Sequence, residues 1–346
     1  MMAAPTVSVL MTYYNKGSFV EEAVRSVLAQ TFADLELLII DDGSTDDGLK
    51  KIRNIGDPRI RIERSDENLG RPAAAKHGFD MARGEFVAVL DADDLMHPER
   101  LELQVTAMRA DPALGACGSY ARYFGREEKI GRWPLTDEEC RGRMLFDGPL
   151  LYGTGMYRLS VLNKHRLRPD PQWRTPGMDQ LFVQRLAVHT KVANLALPLT
   201  EYRIGEQNMK EGRDLLADRM KMMYETLRIL GLPQDRDAAR ALVILEGRFP
   251  SELSASDVRL VRRTIKRSAD VVGPGHPLHR GSFKAELERR WALLYFTLLD
   301  HAPLAGWTYF LLSAERPMDR VRMLIGRTVH HFLGRMKTPK KEAASP

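Results

Sequence analysis

Short apolar runs alternate with segments of helical periodicity through roughly the first third of the chain. Strands are predicted at Val7–Met11, Leu35–Ile40 and Glu85–Leu90, with a more exposed, alternating strand at Ile60–Glu63. Apolar residues recur at helical spacing from Val20 to Leu28, and Ala73–Ala82 also reads as a helix. This β-α-β-α order predicts a mostly parallel sheet with helices on both faces, the arrangement of α/β proteins.

Two helix starts are predicted from residue type. Ser18 with Glu21 three residues later has the spacing of a capping box at the start of the first helix. Pro98 lies near the start of the helix that follows the third apolar run, where its missing N–H costs nothing.

Polar residues follow three of the predicted strands at the point where each strand ends. They are Thr12–Asn15, Asp41–Asp42 and Asp91–Asp94. Ligands of open parallel sheets bind at the carboxyl ends of the strands. Adjacent parallel strands would therefore bring the three clusters to one edge, which is the main functional indication in the sequence.

The Asp91–Asp94 segment carries the chemistry of a divalent-cation site. Carboxylate oxygens suit Mg²⁺ or Mn²⁺, and a cation held there can clamp a nucleotide diphosphate and neutralise the charge of the leaving group. The alternatives are that Asp93 or Asp94 only caps the helix near Pro98, or that the segment is a solvated turn. The Asp41–Asp46 segment has a similar alternative, since Ser44 or Asp46 is a plausible helix N-cap.

Five ordered blocks resemble the amino-terminal signature of family 2 glycosyltransferases, and they span about 90 residues. They are Val7–Asn15, Ser26–Phe32, Glu36–Asp46, Glu67–Gly70 and Ala82–Asp94. The resemblance covers about the first 205 residues and implies a GT-A, Rossmann-like fold and an inverting enzyme that uses a nucleotide-diphosphate sugar, with a UDP-sugar as the expected donor. It also implies hexosyl or N-acetylhexosaminyl transfer to a glycan or lipid-linked acceptor, in surface polysaccharide or glycoconjugate assembly.

The resemblance also implies roles by position. Thr12, Tyr14 and Asp42 would line the nucleoside pocket. Asp91, Ala92 and Asp93 would form the D-x-D segment, with Asp91, Asp93 and Asp94 as the residues at a Mn²⁺ or Mg²⁺ ion. The nucleotide-sugar site would include Asp91 and Ala92.

Asp179 is the candidate catalytic base, in the segment Gly177–Leu186. An acceptor hydroxyl must lose its proton during attack, and a carboxylate within hydrogen-bond reach can take it. Because the leaving diphosphate occupies one face of the sugar, attack from the other face predicts inversion. The family usually has Glu before this Asp, where this chain has Met178. An N-cap role for Asp179 is the structural alternative.

Two further positions depart from the family pattern. Lys76-His77 stands where the family often has Arg-Asn, and Lys76 is a candidate diphosphate contact or a helix-surface lysine. After Arg203 many relatives carry a His, but Ile204–Asn208 contains none, so a third protein ligand for the metal is in doubt. Arg203 is a candidate phosphate contact or a brace for its loop.

Length and composition predict a two-domain protein with a short tail. The chain has 346 residues, and 44% hydrophobic with 28% charged residues is ordinary for a globular protein. The predicted glycosyltransferase domain is 1–210, followed by a mainly helical region 211–336 and a disordered tail 337–346. The two cysteines, Cys117 and Cys140, cannot form a disulfide framework, which favours a reduced, cytoplasmic setting.

The carboxyl-terminal region has features of a membrane surface helix. Residues 302–314 are uncharged and aromatic-rich, and Pro317–Met336 combines an apolar stripe with basic residues. Such a helix can lie on an anionic bilayer, which predicts peripheral attachment on the cytoplasmic face. The alternative is that these helices pack on the catalytic domain. We find no stretch long enough to cross a bilayer as a helix.

Other classes of protein are weighed against these features. The net charge of +6 is scattered and concentrated late without a nucleic-acid recognition module, so no nucleic-acid partner is expected. A dehydrogenase is disfavoured because no glycine fingerprint follows the first strand. The remaining alternative is a catalytically degenerate nucleotide-sugar-binding or scaffold protein in glycan assembly, which Met178 and the missing His favour.

Overall fold

The computed structural model describes residues 4–173, 176–205, 215–247, 253–313, 321–322 and 324–329. The chain divides into two compact units. The N-terminal unit comprises residues 1–213 and 277–282, and the C-terminal unit comprises residues 214–276 and 283–346. The predicted tail 337–346 and most of the predicted helix 317–336 lie outside the described residues.

The N-terminal unit is a sheet with helices along the chain between its strands. The strands are β1 Val7–Tyr13, β2 Leu35–Asp41, β3 Ile60–Arg64, β4 Phe86–Val89, β5 Leu95–Met96, β6 Leu114–Gly125, β7 Lys129–Gly131, β8 Met156–Arg158 and β9 Lys191–Ile204. The helices are α1 Val20–Leu28, α2 Gly48–Ile55, α3 Arg71–Met81, α4 Arg100–Ala110, α5 Asp137–Arg143, α6 Leu159–Lys164 and α7 Met178–Ala187, with a 3₁₀ turn at Tyr152–Thr154.

The strand order is β3-β2-β1-β4-β8-β6-β9-β5, and β7 pairs with β6. The first four strands are parallel, as the sequence pattern predicted. β8 is antiparallel to both β4 and β6, whereas β6 and β9 pair in parallel. The predicted α/β class is therefore confirmed, and the antiparallel pairings follow the parallel half of the sheet.

The main core lies around β1, β2 and β4. These strands are buried along nearly their whole length, which explains their continuous apolar sequences. Helix α1 contributes Val20, Ala23, Val24 and Val27 to the same cluster. Full burial of each valine in this set contributes about 1.5–3 kcal/mol, so this cluster stabilises the strands whose ends form the candidate site.

The C-terminal unit is helical in its described parts, which confirms the predicted helical region. Its helices are α8 Leu215–Ile229, α9 Arg236–Leu245, α10 Ala255–Val271, most of α11 Arg280–His301, and α12 Pro303–Leu312. Ser254 and Asp257 form a capping box at the start of α10. Within the described ranges, no helix combines the length and apolar character needed to cross a bilayer.

Two predicted helix caps are wrong. Ser18 does not cap helix α1, which has Phe19 as its N-cap residue and no side-chain cap. The Lys16 carbonyl accepts from the N–H groups of Phe19 and Val20 instead. Helix α2 begins after Asp47, so neither Ser44 nor Asp46 is its N-cap. The Asp46 carboxylate instead accepts from the Tyr13 hydroxyl and from the Gly17 and Gly48 N–H groups.

Candidate active site

The three polar strand ends lie at one edge of the sheet, as predicted. β1 lies between β2 and β4, with Tyr13 opposite Asp41 and Leu10 opposite Val89. All three strands run in the same direction, so the residues that follow them emerge together. The loops after β2 and β3 also meet here, because Gly43, at φ +74°, approaches the Glu67 backbone too closely for a side chain.

Asp91–Asp94 form a turn directly after β4, which we call the acidic turn. The Asp94 N–H donates to the Asp91 carbonyl at 3.1 Å. Asp94 is 2% exposed, and one of its carboxylate oxygens accepts from the Arg203 N–H at 2.8 Å. Its Oδ2 is buried with no hydrogen-bond partner in the part of the chain that the structure describes. Burial, with the charge of Asp91, raises the pKa of Asp94 well above its usual range.

Asp91 faces Arg71, the first residue of α3. Arg71 Nη2 lies 3.0 Å from both carboxylate oxygens of Asp91. Burial raises the pKa of Asp91, Arg71 opposes the rise, and the charges of Asp93 and Asp179 add to it. Arg71 also lies over the Tyr152 ring, with its guanidinium carbon 5.7 Å from the ring centroid.

Asp93 pairs with Lys16 from the loop after β1. Lys16 Nζ lies 2.6 Å from Asp93 Oδ2, and both side chains are about one-quarter exposed. Asn15 holds this loop in place with a left-handed φ of 49°. Its N–H donates to Ser44 Oγ and its side-chain oxygen accepts from the Thr45 N–H. The first two carboxylates of the acidic turn are thus each paired with a basic side chain, Asp91 with Arg71 and Asp93 with Lys16.

Asp179 lies in the first turn of α7, close enough for its charge to act on this cluster. Its carboxylate raises the pKa values of Asp91 and Tyr152. Together with Asp91 it also raises the pKa of Arg71. The N-cap alternative is wrong, because α7 has Gly177 as its N-cap and Asp179 is its second residue. The metal candidates and the base candidate therefore belong to one electrostatic cluster.

The three nucleoside candidates differ in their surroundings. Tyr14 is 45% exposed and Thr12 is partly buried. Asp42 is 3% exposed, and its two carboxylate oxygens accept from the N–H groups of Leu69 and Gly70 at 2.8 and 2.9 Å. Asp42 therefore fixes the loop that leads into Arg71.

Three other candidates have structural contacts. Lys76 pairs with Asp80 one turn along α3 at 2.7 Å, on an exposed surface. Ala92 is 3% exposed and belongs to the hydrophobic core. Arg203 donates from Nε to the Asp93 carbonyl and lies between the Phe19 and Phe124 rings, so it braces the acidic turn.

Sequence reasoning missed two cations and two tyrosines at this site. Lys16 and Arg71 contact the acidic turn directly. Burial is the largest contribution to the raised pKa values of Tyr152 and Tyr202, and the carboxylates of the acidic turn add to both. Lys16 follows the strand-end cluster Thr12–Asn15, and Arg71 follows the Glu67–Gly70 block of the family resemblance, which was the available signal. Tyr152 and Tyr202 had no such signal.

The donor atoms fit a divalent ion that completes its coordination from a ligand. Among the described residues, no three His, Cys, Asp or Glu side chains converge to hold a metal ion. Asp91 and Asp93 supply carboxylate oxygens, and Mg²⁺ typically takes one or two protein carboxylates with substrate phosphates and water. These two residues would hold the ion, which would supply charge neutralisation for a leaving diphosphate.

Comparison with known proteins identifies the domain that carries this site. Residues 8–164 match the family model for glycosyl transferase family 2. This part of the chain is a family 2 glycosyltransferase domain. The matched range contains β1 to β4, the acidic turn and both cations, while Asp179 lies beyond it.

Among relatives, an uncharacterized glycosyltransferase of Haemophilus influenzae is 32% identical over 180 residues. That alignment covers 48% of this chain and 56% of the relative. The chain spans about half the length of the first relatives it matches.

Two solved structures show the same fold. S. aureus TarS in complex with UDP is 16% identical, covers 98% of this chain and 94% of its own, and has a TM-score of 0.58. The mannosyltransferase PcManGT from Pyrobaculum calidifontis, in complex with GDP-Man and Mn²⁺, is also 16% identical. It covers 96% of this chain and 88% of its own, with a TM-score of 0.51. These likenesses extend the fold beyond residues 8–164.

Proposed function

We propose that the protein is an inverting, metal-dependent glycosyltransferase that moves a sugar from a nucleotide-diphosphate sugar to a hydroxyl of a glycan or lipid-linked acceptor. The observation that carries this proposal is the cluster that Asp91 and Asp93, in the family 2 domain, form with Asp179, which follows the matched range. Surface polysaccharide or glycoconjugate assembly is the proposed setting. We assign the transfer chemistry to the predicted domain 1–210.

The cluster suits a displacement reaction. Asp91 and Asp93 would hold a Mn²⁺ or Mg²⁺ ion at the diphosphate, and Asp94, also predicted at the metal, follows Asp93 in the turn and is buried. Asp179, on a separate element, would accept the proton of the acceptor hydroxyl. Thr12, Tyr14 and the loop fixed by Asp42 would form the nucleoside pocket. Because base and leaving group belong to different sides of the reacting carbon, the product would have inverted configuration.

A UDP-sugar is the proposed donor. Support comes from the sequence blocks at the strand ends and from the likeness to a chain that binds UDP. The second solved relative binds GDP-Man, so GDP donors are the first competitors in any test.

The test is a transfer assay with a panel of UDP- and GDP-sugars, with Mn²⁺ or with EDTA. We expect Mn²⁺-dependent transfer by the wild type. Asp179→Asn should lower kcat by about 10²–10⁴-fold while UDP still binds. Asp93→Asn should weaken Mn²⁺-dependent UDP binding, and the exposed Asp270→Asn in α10 should match the wild type. UDP binding without turnover on any acceptor would favour the scaffold alternative.

We also propose that the C-terminal unit, within the predicted region 211–336, contacts an anionic membrane surface peripherally on its cytoplasmic face. Its described helices expose several large apolar side chains, which a bilayer interface would cover. These are Leu293 and Phe296 on α11, and Leu304 and Leu311 on α12, with Leu311 65% exposed.

Cosedimentation tests the membrane proposal. The wild type should sediment with vesicles containing phosphatidylglycerol at low salt and less so at 1 M NaCl. The double variant Phe296→Ser/Leu311→Ser should bind at least several-fold more weakly, while the exposed Tyr224→Ser on α8 should bind as the wild type does. Equal binding by the double variant would refute the proposal.

A further inference from the structure

The acidic turn carries its own cations at the carboxylates that would hold a metal. Lys16 lies 2.6 Å from Asp93 and Arg71 lies 3.0 Å from both oxygens of Asp91. They approach from different elements, since Lys16 follows β1 and Arg71 begins α3. A divalent ion and these cations compete for the same oxygens, and their like charges repel.

Hydrogen bonds fix the backbone next to both basic residues. Asn15 fixes the backbone before Lys16 through Ser44 and Thr45. Asp42 fixes the Leu69 and Gly70 N–H groups immediately before Arg71. The backbone that carries each cation is therefore fixed by hydrogen bonds, although the Arg71 side chain itself is 43% exposed.

We propose that Lys16 and Arg71 are exchangeable counter-ions: they neutralise Asp93 and Asp91 before the donor binds, and they contact the donor diphosphate once it and the cation are in place. This rests on the proposed function. A bound divalent ion would displace Lys16 and Arg71 from Asp93 and Asp91. The negatively charged diphosphate, which binds next to the ion, then offers both side chains a new anionic partner, so each ion pair is exchanged for another. Metal alone therefore binds weakly, and metal and nucleotide strengthen each other's binding by the same factor.

The mechanism predicts opposite effects on the two ligands. Removing either cation frees a carboxylate, so Mn²⁺ alone should bind more tightly, by at least threefold. The same change removes a charge-assisted contact to the diphosphate, so UDP in saturating Mn²⁺ should bind about tenfold more weakly. A residue with only a structural role would weaken both.

The experiment measures Mn²⁺ binding by the loss of the free Mn²⁺ EPR signal, and UDP binding by calorimetry. The variants are Lys16→Gln, Arg71→Gln and Arg71→Lys, the last of which keeps the charge and should recover part of the UDP affinity. Matched controls are Lys129→Gln, which pairs with exposed Glu127, and Arg25→Gln, which pairs with exposed Glu21. Melting curves show that each variant is folded.

Each outcome bears on a different claim. Mn²⁺ binding that is unchanged or weaker in folded Lys16→Gln and Arg71→Gln overturns the counter-ion inference. Tighter Mn²⁺ binding with unchanged UDP affinity overturns the transfer of these cations to the diphosphate. A wild type that binds neither UDP nor GDP in saturating Mn²⁺ refutes the proposed donor class, while the Mn²⁺ measurement still tests the counter-ion role.

Discussion

Arg100 is a fully buried guanidinium that holds three parts of the N-terminal unit together. It donates to the carbonyls of Val89, Gly153 and Gly155, and to the side chains of Gln104 and Thr200. Burial lowers its pKa to about 10, against the opposing charges of groups that include Asp94. These bonds join the end of β4, the segment at residues 153–155 and β9.

We expect Arg100→Met to lower the free energy of unfolding by about 3 kcal/mol or more, because several buried acceptors lose their donor at about 1–3 kcal/mol each. Urea unfolding at pH 7 measures this loss. Arg109→Met is the matched control on the same helix, since Arg109 is exposed and pairs with Glu85, and its effect should stay below about 1 kcal/mol. Equal stability of Arg100→Met and wild type would mean that removing the buried charge compensates for the lost bonds.

At single residues, the sequence predicted which polar segments lie together better than which of their side chains make contact. The Asp91–Asp94 and Asp41–Asp42 segments are strand-end signals, and register places them together. The direction of a long side chain depends on neighbours that are distant in sequence. The ion pair between Arg71 and Asp91 was therefore not predicted. Lys76, which was a candidate diphosphate contact, pairs with Asp80 on the same helix.

A cluster of aromatic rings joins the elements that position Asp179. Phe79 of α3, Tyr157 of β8, Phe182 of α7 and Tyr152 lie with ring centroids 5.1–6.1 Å apart. Phe182 contacts the other three rings and is fully buried. It lies three residues after Asp179, so its packing fixes the helix that presents the candidate base.

Phe182→Ala should lower the free energy of unfolding by about 3–5 kcal/mol, through the lost transfer energy and the cavity that remains. Phe182→Leu should recover more than half of this loss, because leucine refills much of the cavity. Its kcat for sugar transfer should also be higher than that of Phe182→Ala. Denaturant unfolding and kcat would be measured together. Phe296→Ala, at a half-exposed ring in α11, serves as the control, with an expected change below about 1 kcal/mol. If Phe182→Ala lowered the free energy of unfolding by no more than Phe296→Ala does, the aromatic cluster would not stabilise α7.

Strands with a continuous apolar or an alternating sequence were predicted, and strands defined by their pairing were not. β1, β2, β3 and β4 read directly from their patterns. β6 and β9 pair along most of their length, yet the pairing has register shifts near Tyr120, and β9 contains Pro198. Local propensity argues against a strand at such positions, and only the partner strand resolves it.

Carboxylates with lowered pKa values occur in both units and make the protein less stable in acid, whereas the raised pKa values of Asp91 and Asp94 act in the opposite direction. Hydrogen bonds from Arg59 lower the pKa of Asp57. Burial opposes ionisation of Asp80 and Glu286, but bonds from Lys76 and Arg168 to Asp80, and from Arg289 and Arg290 to Glu286, outweigh it. For a carboxyl whose pKa is lower when folded, the unfolded chain binds more protons at acidic pH. Its contribution is therefore full above the unfolded pKa and is lost as pH falls through the folded pKa.

We expect the free energy of unfolding to fall as pH decreases from about 5 to about 3, the range below the unfolded pKa values of Asp and Glu. Urea unfolding followed by tryptophan fluorescence measures this in both units, since Trp133 and Trp173 lie in one and Trp291 and Trp307 in the other. Glu286→Gln should cost about 1–3 kcal/mol at pH 7 and less at pH 3, because at pH 3 the Glu286 carboxyl of the unfolded wild type is already largely protonated. Glu225→Gln, which removes a more exposed pair with Arg228, should change stability by less than about 1 kcal/mol at either pH. A Glu286→Gln cost that is the same at pH 7 and pH 3 would mean that this carboxylate stabilises α11 by packing and not by its charge.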